Sequence, residues 1–181
     1  YGNDKIKEDL QQAKYYFNKG AEHGDRRCMY DLTWLYLDED DTEEARKIAH
    51  QLIDLGYNYG YVLLGEIADQ EDEKDEAVRM FKQAIKLDQY EAYGDLAFYQ
   101  WNEGNREEAY RLARKGCAME DFKSYWFLAF FYKEEERYDE AWDAILVYYL
   151  REGSGADLMG EIFFDCGYRK EDPAAEALME Q

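Results

Sequence analysis

The side chains most able to do chemistry in this chain are two histidines, three cysteines and a large excess of carboxylates. His23 and His50 have no cysteine or acid at ligand or triad spacing, so we interpret them as surface histidines. The cysteines, Cys28, Cys117 and Cys166, form no C-x-x-C pair, which favours reduced buried thiols over a metal or disulfide role. Acid pairs are so abundant that a general acid–base pair could be drawn almost anywhere, so none is informative.

No nucleotide, phosphate or metal motif accompanies these side chains. The sequence holds no H-E-x-x-H, P-loop or Cys/His zinc pattern. Gly153-Ser154-Gly155 begins like a dinucleotide loop, but no strand precedes it and Leu158 replaces the third glycine. The acidic run 38–41 lacks the alternating ligands and central glycine of a calcium loop. We therefore predict a non-enzymatic protein without a metal or cofactor.

Alanine recurs every 32 residues, and this period is the strongest signal in the sequence. The marker alanines are Ala13, Ala45, Ala77, Ala109 and Ala141. Twelve residues before each of the last four comes a small residue that follows a leucine: Thr33, Gly65, Ala97 and Ala129. Self-similarity at a period of 20–50 residues indicates a solenoid, in which each unit buries its apolar face against its neighbours.

Each unit is predicted to form two helices, because apolar or small residues follow the marker alanine at helical spacing. Small residues at fixed helical positions let two helix axes approach closely. Helix A is predicted at about 26–38, 58–69, 90–102, 122–135 and 155–165. Helix B is predicted at about 4–23, 42–55, 72–87, 105–119, 138–152 and from 173 onward. The expected fold is all-α, a right-handed superhelix of about five αα-hairpins with a leading helix.

The whole chain is expected to form one domain, because no linker-like stretch divides residues 1–181. Turns are marked by Gly24, Gly56, Gly104 and the stretch 153–155. A helix that starts near Pro173 stops at the last residue, so we expect a fragment of a longer natural chain. Reduced thiols favour the cytoplasm, but the chain begins at Tyr1 rather than Met, which leaves secretion or a periplasmic location open.

Charge limits the class of partner. The net charge of −20 disfavours nucleic acid, whose phosphates need Lys and Arg, and disfavours an anionic membrane. It suits a basic protein or peptide, whose approach the field would steer. Acids bunch at the turn from helix A to helix B, and we predict that they form an acidic rim at Asp40, Asp41, Glu71, Asp72, Glu73, Glu135 and Glu136.

Much of this charge pattern also has a structural explanation. Acids at a helix start and bases further on complement the helix dipole. Three pairs at i, i+4 recur in one register: Glu43–Lys47, Asp75–Arg79 and Glu107–Arg111. A contact role for the rim and a purely stabilising role both remain open.

Aromatic residues recur on the predicted inner face of helix A, three positions before the small residue and one or four positions after it. The predicted partner-binding groove consists of Tyr30, Trp34, Phe98, Trp101, Trp126 and Phe130. Exposed aromatics in a groove are typical anchors for a partner. The alternative is that the rings pack on one another and close the groove.

The segment Ala13-Lys-Tyr-Tyr-Phe-Asn-Lys-Gly-Ala-Glu-His-Gly-Asp25 resembles helix B and the exit turn of Sel-1-like repeats. The short acidic turn from helix A to helix B is instead similar to that of tetratricopeptide repeats. Both families imply an αα-repeat solenoid that serves as a scaffold or adaptor for proteins and peptides.

Two functions are compatible with these observations. The favoured one is a non-catalytic scaffold that binds a protein or peptide in the aromatic groove behind the acidic rim. The other is an immunity-type inhibitor whose acidic surface caps a basic toxin or a nucleic-acid-binding protein.

Overall fold

Helices account for the regular secondary structure of the described part of this chain. The computed structural model describes residues 2–153, 155, 157, 158, 160 and 162, and their side chains except those of residues 2–9 and 152. The helices are α1 (Gly2–Glu22), α2 (Arg26–Asp38), α3 (Thr42–Asp54), α4 (Gly60–Gln70), α5 (Lys74–Lys86), α6 (Ala92–Asn102), α7 (Arg106–Ala118), α8 (Phe122–Glu134) and α9 (Tyr138–Glu152). No strand occurs in this described part of the chain.

The all-α prediction and the helix boundaries are confirmed. Each of the nine predicted helices up to residue 152 begins and ends within two residues of its expected position. The predicted helix at 155–165 is described only in part, and its residues 157, 158, 160 and 162 are helical. Cys166 and the predicted helix from Pro173 lie outside the described residues.

Two compact units divide the chain, Tyr1–Ala92 and Tyr93–Gln181. In the first unit, each helix from α1 to α4 packs against the next one along the chain. In the second unit, α8 packs against both α7 and α9. The single domain over residues 1–181 remains a prediction.

The repeated small residues lie where helices touch. The last four marker alanines are fully buried: Ala45, Ala77, Ala109 and Ala141. A Cβ atom added to Gly65 would lie 2.4 Å from the ring of Phe81, and one added to Gly116 would lie 2.0 Å from Ser124 Oγ. Because these distances are below any van der Waals contact, a larger side chain at either position would push the helices apart.

Every turn between consecutive helices from α1 to α9 has the same backbone hydrogen bonds. A backbone N–H two residues past the helix cap donates to the carbonyl five residues earlier, as from Asp41 to Tyr36 and from Arg137 to Tyr132. These eight bonds measure 2.8–3.0 Å, and each closes a Schellman motif whose preceding residue is left-handed. The left-handed positions are Gly24, Asp40, Gly56, Asp72, Asp88, Gly104, Glu120 and Glu136. Five of these positions are acidic, so a search of the sequence for turn glycines finds only Gly24, Gly56 and Gly104.

We predict that Glu136→Gly stabilises the protein. Glu136 has φ 57°, a conformation that costs a residue with a Cβ about 1–2 kcal/mol. Removing that cost, less the entropy of an added glycine, should leave a gain of about 0.5–1 kcal/mol. Thermal unfolding followed by circular dichroism should show Tm rising by about 1–4 °C.

The neighbouring substitution Glu135→Gly is the matched control. Glu135 has an ordinary φ of −98°, so glycine adds entropy to the unfolded chain without relieving strain. Its Tm should fall. A rise of Tm in both variants would contradict the strain argument.

Candidate functional site

Asp25 fixes the start of α2, the helix that carries Tyr30 and Trp34. Its side chain accepts hydrogen bonds from the backbone N–H groups of Cys28, at 3.0 Å, and Arg27, at 2.9 Å. These donors hold the pKa of Asp25 below its ordinary value. The cap satisfies two of the free N–H groups at the helix start and so sets the position of both aromatic side chains.

Tyr30 and Trp34 lie one helical turn apart on the same face of α2, and both are half-buried. The Tyr30 ring packs edge-on against Trp34, with centroids 6.3 Å apart, and against Tyr59, with centroids 5.4 Å apart. Edge-to-face pairs of this kind are favourable beyond their burial of area. Of the predicted groove residues in the first unit, the structure therefore brings both together and adds Tyr59.

A cleft of about 910 Å³ opens beside these rings, and we call it the first-unit cleft. Its lining comes from the start of α2, the end of α3 and the residues before α4 and α6: Arg26, Arg27, Tyr30, Leu52, Gly56, Tyr57, Asn58, Tyr59, Gln89 and Glu91. Only Tyr30 among them was predicted as a site residue. A signal was present, because Arg27, Tyr59 and Glu91 occupy the same position of three consecutive 32-residue repeats.

Carboxylates crowd the phenol of Tyr59. Burial is the largest cause that raises the pKa of Tyr59, and the charges of Glu91 and Glu66 raise it further. Among the described side chains, Glu91 Oε2 is buried without a hydrogen-bond partner. The surroundings of Tyr59 in the cleft are thus acidic and aromatic.

Asp121 starts α8 in the second unit as Asp25 starts α2, three repeats earlier. Its buried carboxylate accepts hydrogen bonds from the backbone N–H of Gly94, at 3.2 Å, and from the Ser124 hydroxyl. Burial raises the pKa of Asp121 to about 6, although these two donors pull it down. The carboxylate ties α8 to the start of α6 and so positions the aromatic side chains of both helices.

Phe98, Trp126 and Phe130 form one ring cluster in the second unit, and all three are half-buried. The Trp126 and Phe130 rings are parallel, with centroids 5.9 Å apart. Phe98 stacks on the buried Phe127 at 5.0 Å and meets Phe130 edge-on at 6.3 Å. Each ring packs on its neighbours and still keeps an exposed portion. Binding of a partner by these rings stays a prediction.

Trp101 belongs to the interior of the second unit. It is only 6% exposed and stacks flat on Phe131, with centroids 4.3 Å apart. The guanidinium of Arg106 covers its other side at 3.4 Å from the ring centroid. Trp101 lies four positions after the small residue Ala97, whereas the half-buried rings lie three before or one after theirs. Direct contact of Trp101 with a partner stays a prediction.

The acidic rim residues lie at the turns, as expected, and most of them already have partners. Glu71 and Glu73 both pair with Arg46 of the preceding repeat, and Glu135 accepts a hydrogen bond from the Tyr110 hydroxyl at 2.8 Å. Asp40 accepts from Gln70 Nε2 at 2.9 Å, and Asp41 accepts from the backbone N–H of Glu44. Asp72 lies 3.4 Å from Lys74 Nζ, and Glu136 is exposed. The rim therefore also connects neighbouring repeats.

The predicted register of ion pairs on helix B was wrong in two of three copies. Lys47 contacts Glu43 as predicted, at 3.1 Å, but also Glu44. Arg79 pairs with Glu76, and Arg111 pairs with Glu108 in two hydrogen bonds, rather than with Asp75 and Glu107. The reason is that i, i+3 residues also face each other on a helix, and the glutamate beside the marker alanine lies closer to the base.

The described cysteines and histidines form no reactive group. Cys28 and Cys117 are free and half-buried, and burial raises the pKa of the Cys117 thiol to about 12. His23 and His50 are exposed. Within the described residues, no cluster of three or more His, Cys, Asp or Glu could hold a metal ion. No described helix is both long and apolar enough to span a bilayer.

Comparisons with known proteins identify the fold. A family model of the tetratricopeptide repeat matches residues 59–90, the length of one 32-residue period. BtubC (BKLC) from P. vanneervenii aligns with 88% of this chain and 79% of its own at 16% identity and a TM-score of 0.62. MamA aligns with 83% of this chain and 93% of its own, at 19% identity and a TM-score of 0.52. TPR-like repeats from Podosopora anserina align with 81% of this chain and 87% of their own, at 14% identity and a TM-score of 0.50. No curated protein sequence matches.

The resemblance to tetratricopeptide-like αα-repeats is therefore confirmed, and the chain has the fold of these helical-repeat proteins. The identities are low enough that the solved structures establish the fold alone. The Sel-1-like subtype stays a prediction.

The carboxylates of the two N-cap residues, Asp25 and Asp121, should respond to pH in opposite directions. The native Asp121 carboxyl keeps its proton up to about pH 6, whereas an unfolded aspartate loses it near pH 4. The native state binds more protons between these values, so stability falls as pH rises through this window. Asp121→Asn should remove that loss and gain roughly 1–3 kcal/mol over wild type between pH 4 and pH 7.

Asp25→Asn is the matched control, since it neutralises the equivalent cap of α2. Asp25 has a lowered native pKa, so its contribution is present above pH 4 and lost as pH falls below it. This variant should lose stability relative to wild type at pH 7. Urea unfolding at pH 4, 5.5 and 7 measures both effects, and parallel pH profiles for the two variants would contradict the assignment.

Proposed function

We propose that this chain is a non-catalytic scaffold that binds a protein or peptide partner through half-buried aromatic side chains of its A helices. Tetratricopeptide-like repeats generally mediate protein–protein interaction. The observation that carries the proposal is the partial exposure of rings at two repeat positions: Tyr30, Trp34, Phe98, Trp126 and Phe130.

The energetics of the fold support this use of the rings. The buried leucines and small residues fill the contacts between helices, as Leu32, Leu64, Leu96 and Leu128 do. A half-buried ring has realised only part of the free energy that full burial would provide. A partner that covers the exposed part provides the rest. Because the ring is also held by its aromatic neighbours, little side-chain entropy is lost on binding.

The acidic rim supports a basic partner. Rim carboxylates such as Glu136 are exposed, and the chain as a whole carries a charge of −20. Such a field accelerates the approach of a basic surface and disfavours an acidic one. We propose that the rim selects and orients the partner while the rings supply most of the affinity.

Trp126→Ala should weaken partner binding by about tenfold or more, which is typical of a central aromatic anchor. The measurement is affinity capture from native lysate on the immobilised full chain, with retained proteins quantified for wild type and variant. Leu150→Ala is the control, since Leu150 is a 68% exposed apolar side chain of the same unit. Both variants should keep the helical circular dichroism of wild type. Equal retention by both would contradict the proposed anchor.

Trp101 needs a separate expectation because it is buried. Trp101→Ala removes a stacked ring from the interior and should cost about 3–5 kcal/mol of stability. Its effect on capture is therefore not a test of the binding surface.

The second candidate function is an immunity-type inhibitor that caps a basic toxin or nucleic-acid-binding protein, and the net charge of −20 favours it. A partner held mainly by charge should lose about a hundredfold or more in affinity between 0.1 and 0.5 M salt, where the Debye length shrinks to a few ångströms. Titration calorimetry with the captured partner measures this change. A change below about threefold would exclude the capping function and leave the aromatic scaffold.

A further inference from the structure

The first-unit cleft contains a carboxylate oxygen that the described chain leaves unsatisfied. Glu91 Oε2 is buried and receives no hydrogen bond. A buried acceptor without a donor costs free energy, and the cost is larger for a charged group. A ligand that brings an N–H donor to this oxygen would remove that cost.

The surroundings of Glu91 select the charge of such a ligand. The rings of Tyr30 and Tyr59 stand beside it in the cleft, 5.4 Å apart and inclined by 62°. The charges of both Glu91 and Glu66 act on the Tyr59 phenol, so two carboxylates lie close to these rings. Carboxylates near aromatic rings favour a cation over a neutral or anionic group.

Two arginines at the start of α2 also line the cleft, and both are engaged elsewhere. Arg27 is paired with Asp31, with Nε 3.3 Å from Oδ2. Arg26 lies over the ring of Tyr57, with its guanidinium carbon 5.6 Å from the centroid. Both residues are exposed, and neither satisfies Glu91 Oε2.

We propose that the first-unit cleft binds an arginine side chain of the partner, with the guanidinium donating to Glu91 and stacked on Tyr30 or Tyr59. The proposal rests on the proposed scaffold function and names the residue type that this part of it recognises. Arginine fits better than lysine because its guanidinium is planar, weakly hydrated and able to stack on a ring while it donates. A volume of about 910 Å³ leaves room for the residues that flank the arginine.

The test uses the full chain and the peptide acetyl-Gly-Gly-Arg-Gly-Gly-amide, with peptides that carry lysine or citrulline instead as comparisons. Titration is followed by heteronuclear NMR in 0.3 M salt, which screens diffuse attraction to the acidic surface. We expect the arginine peptide to bind most tightly and to shift the signals of Tyr30, Tyr59 and Glu91. The citrulline peptide keeps the shape of arginine without its charge and should bind at least tenfold more weakly.

Glu91→Gln should weaken binding of the arginine peptide about tenfold, because it removes the charged acceptor and keeps the shape. Asp38→Asn removes the same charge from an exposed site on α2 outside the cleft lining and should change affinity less than twofold. Equal weakening in the two variants would mean diffuse attraction and would overturn the proposal. So would an absence of binding, or equal binding of arginine and citrulline.

Arg26→Ala separates the proposal from an internal ion pair. If the cleft binds an arginine of the partner, Arg26→Ala removes a like charge and should raise the affinity for the arginine peptide about two- to threefold. A double-mutant cycle of Arg26→Ala and Glu91→Gln in urea unfolding should then show no coupling. Coupling would mean that Arg26 satisfies Glu91 in solution, which overturns the proposal.

Failure of the cleft and failure of the scaffold function remain distinguishable. Trp126 lies in the second unit, so the capture experiment with Trp126→Ala reads a different surface. If capture depends on Trp126 but the arginine peptide does not bind the cleft, only the cleft proposal is overturned.

Discussion

The close approach of neighbouring helices is the constraint on which the rest of this structure depends. Ala45, Ala77, Ala109 and Ala141 are fully buried at equivalent contacts. At Gly65 even a methyl group would overlap the ring of Phe81. Helices this close bury their apolar faces with little void, so within each unit neighbouring repeats stabilise one another. A period of 32 residues follows because every repeat must present the same small residues to the same contacts.

This packing decides which aromatic side chains remain available. The aromatic rings three positions before or one position after the small residue stay half-buried, as Tyr30, Trp126 and Phe130 do. The smaller Val62, three positions before Gly65, is buried. Trp101, four positions after Ala97, reaches into the interior and is buried. On α6, the half-buried Phe98 and the buried Trp101 are thus both aromatic and lie only about one helical turn apart.

The sequence was sufficient for the helices, because their boundaries follow from the period and the apolar spacing. The sequence was insufficient to predict contacts wherever two or more side chains lay within reach of the same partner. Arg111 had two glutamates within reach, and only coordinates distinguish Glu108 from Glu107. The first-unit cleft was missed because its lining mixes residue types: Arg27, Tyr59 and Glu91 share a repeat position but no chemistry. A search for conserved character along the repeat passes over such a site.

The stability of the fold does not explain why acidic residues occupy the left-handed positions of several turns. At Asp40, Asp72 and Glu136 the backbone is left-handed, and glycine would adopt it without strain. Each of these acids lies between a helix C-terminus, whose dipole disfavours negative charge, and the next helix N-terminus, whose dipole favours it, so the two effects oppose each other. Gln70 holds Asp40 and Lys74 pairs with Asp72, but surface contacts of this kind contribute at most about 1 kcal/mol. Stability alone therefore gives no reason for an acid over a glycine at Glu136. The proposed selection of a basic partner would supply one.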